Sequence, residues 1–138
     1  MSDSYIPAGL RRLVIERAGN RCEYCLMPER FTFARHEIDH VVAVKHGGRT
    51  AADNLALSCT LCNKLKGSDI STIDPATGLM APLFHPRLNQ WSDHFRLDGA
   101  RIEPQTATGR ATTRLLQFNR ADRIAERELL ILAGVLRP

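Results

Sequence analysis

The chain has 138 residues, 43% hydrophobic and 25% charged, as expected of an ordinary globular protein of about one domain with a modest core. No stretch approaches the roughly eighteen apolar residues of a membrane span, and Met1-Ser2-Asp3-Ser4 lacks the basic and then apolar pattern of a secretory leader, so a cytoplasmic protein free of the membrane is expected. Nineteen Lys+Arg against fifteen Asp+Glu give a net charge of +4, which suits a polyanionic partner but does not demand one.

Pro7 followed by Leu10, Leu13 and Val14 predicts an amphipathic helix over residues 7–18, because proline suits the first helical position and the apolar residues recur at helical spacing. Gly19 ends it, and residues 21–25 form a tight turn bearing two thiols, Cys22 and Cys25. Ile38, Val41, Val42 and Val44 predict a strand within residues 35–44. His46-Gly47-Gly48 breaks that strand, and a loop over about residues 45–53 leads to Asn54 and to Leu55-Ala56-Leu57, read as a second strand pairing back on the first. Residues 60–66 then favour a helix that Gly67 stops. The order strand, loop, strand, helix is a ββα unit, and the fold class expected is α+β.

Residues 71–138 carry weaker signals. Pro75, Gly78, Pro82 and Pro86 mark turns, and Asp98-Gly99 predicts a hairpin within residues 91–102. Helices are predicted near 111–118 and over about 120–136. The last has an apolar face of Ala125, Leu129, Leu132 and Leu136, widened by Ile124, Ile131 and Val135 and read as a packing surface. A single domain over residues 1–138 is expected, with its core at 7–70 and a C-terminal hairpin and helical extension at 71–138.

Cys22, Cys25, Cys59 and Cys62 form two C-x2-C pairs and account for every cysteine. The two-residue spacer lets both thiolates of a pair converge on one tetrahedral ion. Symmetric pairs in a cytoplasmic chain argue for zinc over disulfides or unrelated buried thiols. Four protein ligands leave no position for water, so the expected zinc is structural, stapling the turn after the first helix to the start of the ββα helix. Such a site contributes on the order of 10 kcal/mol in zinc-finger peptides, comparable to the whole stability of a small domain.

A second set, Asp39, His40, Asn54 and Asn63, is interleaved with the thiols. Asp39 is a hard oxygen ligand suited to Mg2+ or a similar cation, and His40 beside it is a base of the type whose ordinary pKa lies near neutrality. An Asp-His pair on a strand is commonly polar surface and nothing more; here the ββα order brings Asn54 and Asn63 to it, with the zinc on the flank. Phosphodiester hydrolysis needs a nucleophile made from water and relief of charge on the leaving oxygen. His40 suits the first task and a metal on Asp39 and Asn63 the second. Lys45 and Arg49 in the loop, with Lys64 and Lys66 on the helix, either pair with neighbouring phosphates or form a solvated face. Of the other histidines, His36 shares a strand face with His40 and either lines the cleft or packs. His46 belongs to the turn, and His85 and His94 read as core near Trp91 and Phe95.

Arg21-Cys22-x-x-Cys25, Glu37-Ile38-Asp39-His40, Gly47-Gly48, Asp53-Asn54-Leu55 and Cys59-x-x-Cys62-Asn63-x-x-Lys66-Gly67 together resemble the HNH endonuclease family over about residues 7–70. The resemblance implies a ββα-metal (His-Me finger) nuclease core, His40 as general base and Asn54 as the residue that orients it or its water. It also implies Asp39 and Asn63 as ligands of a catalytic Mg2+, Mn2+ or Ni2+, beside the structural Zn2+. The third letter of the motif is commonly histidine; Asn63 stands there, a weaker partner for transition metals. The activity expected is metal-dependent endonucleolytic hydrolysis of DNA phosphodiester bonds. The alternatives are a non-catalytic zinc-stabilised nucleic-acid-binding module, which has no need of Asp39, His40, Asn54 and Asn63 together, and a zinc-stapled protein-interaction domain without salt-sensitive affinity for DNA.

Overall fold

The computed structural model describes residues 5–137; Met1 to Ser4, on which the reading of no leader rested, and Pro138 lie outside the described residues. The chain falls into two compact units: residues up to Ile70 joined by His85–Asn89, and Ser71–Phe84 joined by the residues from Gln90 onward. No described helix is long and apolar enough to cross a membrane.

In the first unit, α1 (Ala8–Ala18) follows Pro7 and ends at Gly19, whose φ of 63° is the left-handed conformation that glycine adopts without strain. Val14 packs against Ile6, Leu55 and Leu57, with Leu10, Ile15 and Ala18 partly buried around them. Leu13, expected on this face, is 45% exposed, because the inward stripe runs through positions 10, 14 and 18, one helical turn apart. β1 (Glu37–His40) runs antiparallel to β2 (Leu55–Ser58), with Ile38 opposite Leu57 and His40 opposite Leu55. The strand expected over residues 35–44 is thus shorter. After His40 the Val41 N–H donates to Asn54 O, and the chain then winds into a 3-10 turn at Val44–His46. α2 (Thr60–Lys66) starts at Cys59 and stops at Gly67, completing the ββα order.

The second unit contains two hairpins and most of the remaining helix. β3 (Ser71–Ile73) and β4 (Met80–Pro82) pair antiparallel, strands that the turn signals alone did not reveal. After the single turn of α3 (Trp91–His94), β5 (Phe95–Asp98) and β6 (Arg101–Pro104) form the hairpin expected at Asp98-Gly99, with Gly99 at φ 57°. α4 (Ala107–Leu115) packs on β3, β4 and β6. Phe95 lies 5.5 Å from the rings of both Phe84 and Phe118 at the centre of this core.

α5 (Ala121–Leu132) matches its predicted face only in part: Leu136, beyond its end, is buried and Ile124 and Ile131 are half-buried, but the rest of the face differs. Arg123, Arg127 and Leu130 are its buried residues, whereas Leu129 is 67% and Leu132 84% exposed. The Arg127 guanidinium donates to Ala100 O and Phe118 O, at 2.6 and 2.5 Å. Carbonyls left over at two chain reversals thus draw an arginine inward where periodicity alone favoured leucine.

Candidate active site and metal centre

The four cysteine sulfurs are buried and lie within 4.8 Å of one another. Those of Cys25 and Cys59 are 3.7 Å apart, close to the roughly 3.8 Å edge of a tetrahedron with Zn–S bonds of about 2.3 Å. Both pairs fold by one local device: Cys22 Sγ accepts the Cys25 N–H and Cys59 Sγ the Cys62 N–H, each at 3.4 Å. Leu26, at φ 71°, then turns the chain so that Met27 O receives the Cys22 N–H at 2.9 Å. Burial pushes the Cys22 thiol well up from its ordinary range, and a divalent cation supplies what such sulfurs need in order to ionise. The donor set fits a closed tetrahedral zinc site.

The loop between β1 and β2 is closed by Asn54. Its Oδ1 accepts the Val42 N–H, and its Nδ2 donates to Val42 O and to Arg49 O, all at 2.9 Å. Both ends of the amide of Asn54, the residue expected to orient His40 or its water, are thus engaged by the backbone of the loop that follows His40. Gly48 lies against the same lock. A Cβ there would stand 1.7 Å from Val42 O and 2.8 Å from Asn54 Nδ2. This packing returns Thr50 to the end of β1, where its Oγ1 lies 2.9 Å from His40 Nε2.

Asp39, the preceding residue of β1, is 5% exposed. Its Oδ2 accepts the Tyr24 hydroxyl at 2.7 Å and faces Lys66 Nζ at 3.2 Å. Burial pushes this carboxyl up, and the Lys66 ammonium and Tyr24 hydroxyl pull it only part of the way back. Asn63 is half-buried one turn before Lys66, and residues three apart share a helix face. Carboxylate and amide oxygens from β1 and α2 are donors suited to Mg2+ or Mn2+. Neither Tyr24 nor Thr50 carries a spacing signal that marks it beforehand.

Of the four cations expected on phosphates, Lys45, Arg49 and Lys64 are exposed. Lys66 is not: it is 2% exposed, and its ammonium donates to Val41 O at 2.9 Å while pairing with Asp39. The reason is electrostatic, since a buried carboxylate draws in the nearest cation. His36 packs, with its Nε2 2.7 Å from Met27 O. His46 lies in the Val44–His46 turn. His94 is a packing residue beside Phe84, with rings 6.0 Å apart. His85 belongs to the first unit; its Nδ1 accepts the Arg87 N–H at 3.1 Å, and Arg87 pairs with Glu23.

The family model for HNH endonuclease matches residues 22–69. Comparison with curated proteins and with solved structures found no match. The matched span runs from the first cysteine pair through β1, the Asn54-locked loop and β2 to just past α2. Residues 22–69 form an HNH domain whose four-cysteine cluster is compatible with a structural zinc.

Proposed function

We propose that this protein is a metal-dependent endonuclease that hydrolyses DNA phosphodiester bonds at the HNH domain, with His40 as general base. The observation that carries this reading is the adjacency of two unlike side chains on β1. Asp39 meets the α2 face that also bears Asn63, and His40 meets Thr50 in the loop closed by Asn54. His40 Nε2 lies 2.9 Å from Thr50 Oγ1; in the tautomer in which Nε2 donates to that hydroxyl, Nδ1 is left to take a proton from water as that water attacks phosphorus, a role worth about 10²- to 10⁴-fold. Asp39 and Asn63 would hold a divalent cation, which when bound would relieve charge on the phosphate and leaving oxygens. Asn54 and Gly48 keep the loop in register, and Lys45, Arg49 and Lys64 suit flanking phosphates.

Supercoiled plasmid incubated with purified protein and Mg2+ or Mn2+ tests the reading. Cleavage is expected from the wild type and is lost in His40→Ala with zinc content and folding retained. Asp39→Ala also loses it, and because that change strands buried Lys66 it is read beside Asp39→Asn, at a temperature where zinc content and folding are shown to persist. Normal cutting by His40→Ala, or cutting that survives brief EDTA treatment, would end the assignment. Salt-sensitive binding without any cleavage by the wild type favours the zinc-stabilised binding module.

A further inference from the structure

Between the first cysteine pair and β1 the sequence reads Arg30-Phe31-Thr32-Phe33-Ala34-Arg35. Phe31 is 47% exposed and Phe33 113% exposed. This is not a frayed loop. The Phe31 N–H donates to Pro28 O at 3.2 Å and the Thr32 N–H to Glu29 O at 3.0 Å. The Thr32 hydroxyl lies 2.7 Å from both Glu29 O and Ala34 O. At its ends the turn is tied by Glu29 N–H to Asn20 O, 2.9 Å, and by His36 N–H to Glu29 Oε2, 2.8 Å. A pinned turn thus holds Thr32 half-buried while its two aromatic neighbours stay in water. Such exposure opposes the hydrophobic effect and marks an interaction surface.

The chemistry of the tip narrows the partner. Arg30 lies over the Phe31 ring, 4.9 Å from its centroid, Arg35 is exposed, and no acidic residue lies between them. Glu29 is engaged by the His36 amide, and exposed Glu37 already belongs to β1. Aromatic faces flanked by guanidinium groups suit a polymer with stackable bases and a phosphate backbone. The tip also feeds the strand that ends in Asp39-His40. Phe33 lies no farther from His40 than about 24 Å of extended chain, close enough for one bound strand to touch both. We infer that residues 30–35 form a second nucleic-acid contact, in which Phe31 and Phe33 stack on unpaired bases and Arg30 and Arg35 hold the adjoining phosphates. The inference rests on the nuclease reading only for the identity of the polymer.

The test is fluorescence anisotropy of a labelled single strand and of the matching duplex, titrated with full-length protein carrying His40→Ala so that nothing is cut. Phe31→Ala with Phe33→Ala should weaken single-strand binding by roughly tenfold or more per ring. Duplex binding should change less, and melting temperature and zinc content not at all. The salt slope should survive loss of the rings but flatten in Arg30→Gln with Arg35→Gln. Phe33→Trp should restore affinity, and its emission should be quenched by the strand. Wild-type affinity in the double alanine variant, an unquenched Trp, or ring-dependent binding to anionic vesicles instead of the strand overturns the inference. Plasmid cleavage with His40 intact is scored separately. Ring-dependent binding without cleavage sinks the nuclease reading and leaves this one standing; cleavage with ring-independent binding does the reverse.

Discussion

The ammonium of Lys66 stands 3.2 Å from the Asp39 carboxylate, with both side chains almost fully withdrawn from water. Truncating one partner of a buried ion pair leaves the other uncompensated, at a cost of about 3–5 kcal/mol. Lys66→Ala should therefore lower stability by that order in urea unfolding, and Asp39→Asn combined with Lys66→Met should recover most of the loss. Lys64→Ala should leave stability alone and reduce the salt dependence of DNA binding. If Lys66→Ala is as stable as the wild type and instead binds DNA more weakly, the lysine acts at the surface.

The thiol cluster leads to a metal prediction. Reduced, folded protein should contain zinc that survives brief EDTA treatment, and Cys59→Ser should lose it together with a large part of the thermal stability. Cys59 contributes a sulfur and also begins α2, where its Sγ accepts the Cys62 N–H. Elemental analysis that finds no zinc in the folded protein contradicts this.

Two adjacent glycines should behave differently. Gly48→Ala drives a methyl group into Val42 O, and overpacking of this kind costs about 1–3 kcal/mol. It should also impair plasmid cleavage by disturbing Asn54. Gly47→Ala meets no atom within 4 Å and bears only the strain of φ +92°, about 1–2 kcal/mol, so cleavage should largely persist. Equal loss of cleavage in both variants would mean that the clash at Gly48 is not what shapes the loop.

In the second unit, buried Asp74 accepts Arg110 Nε and NH2, both at 2.9 Å. That pairing, helped by the Ala76 N–H and the Thr77 hydroxyl, holds its carboxyl well below the usual carboxylate range. A depressed carboxylate stabilises the fold above the unfolded value, about 3.9. The contribution is lost as pH falls through the lower folded value. The melting-temperature gap between wild type and Asp74→Asn should be constant near neutrality and shrink below about pH 4. A gap unchanged down to strongly acid pH rules out ionisation of Asp74 as its source.

Much of the first unit was legible because its signals act over a few bonds. The C-x2-C spacing, the capping glycines at 19 and 67, and the short apolar run after Asn54 each constrain the chain within one turn. Other features depended on groups far apart in sequence. Lys66 reads as a surface cation until β1 brings Asp39 to it, and the backbone groups of Val42 and Arg49 that hold the Asn54 amide carry no mark in the sequence. The inward face of α5 was settled by carbonyls at Ala100 and Phe118 that needed donors, a demand that hydrophobic periodicity cannot register. Sequence by itself therefore determined the ββα order of the first unit and the thiol cluster. Tertiary structure alone decided which polar side chains turn inward, because a buried carboxylate or carbonyl must be paired once water is excluded, and its partner comes from whichever segment the fold packs there.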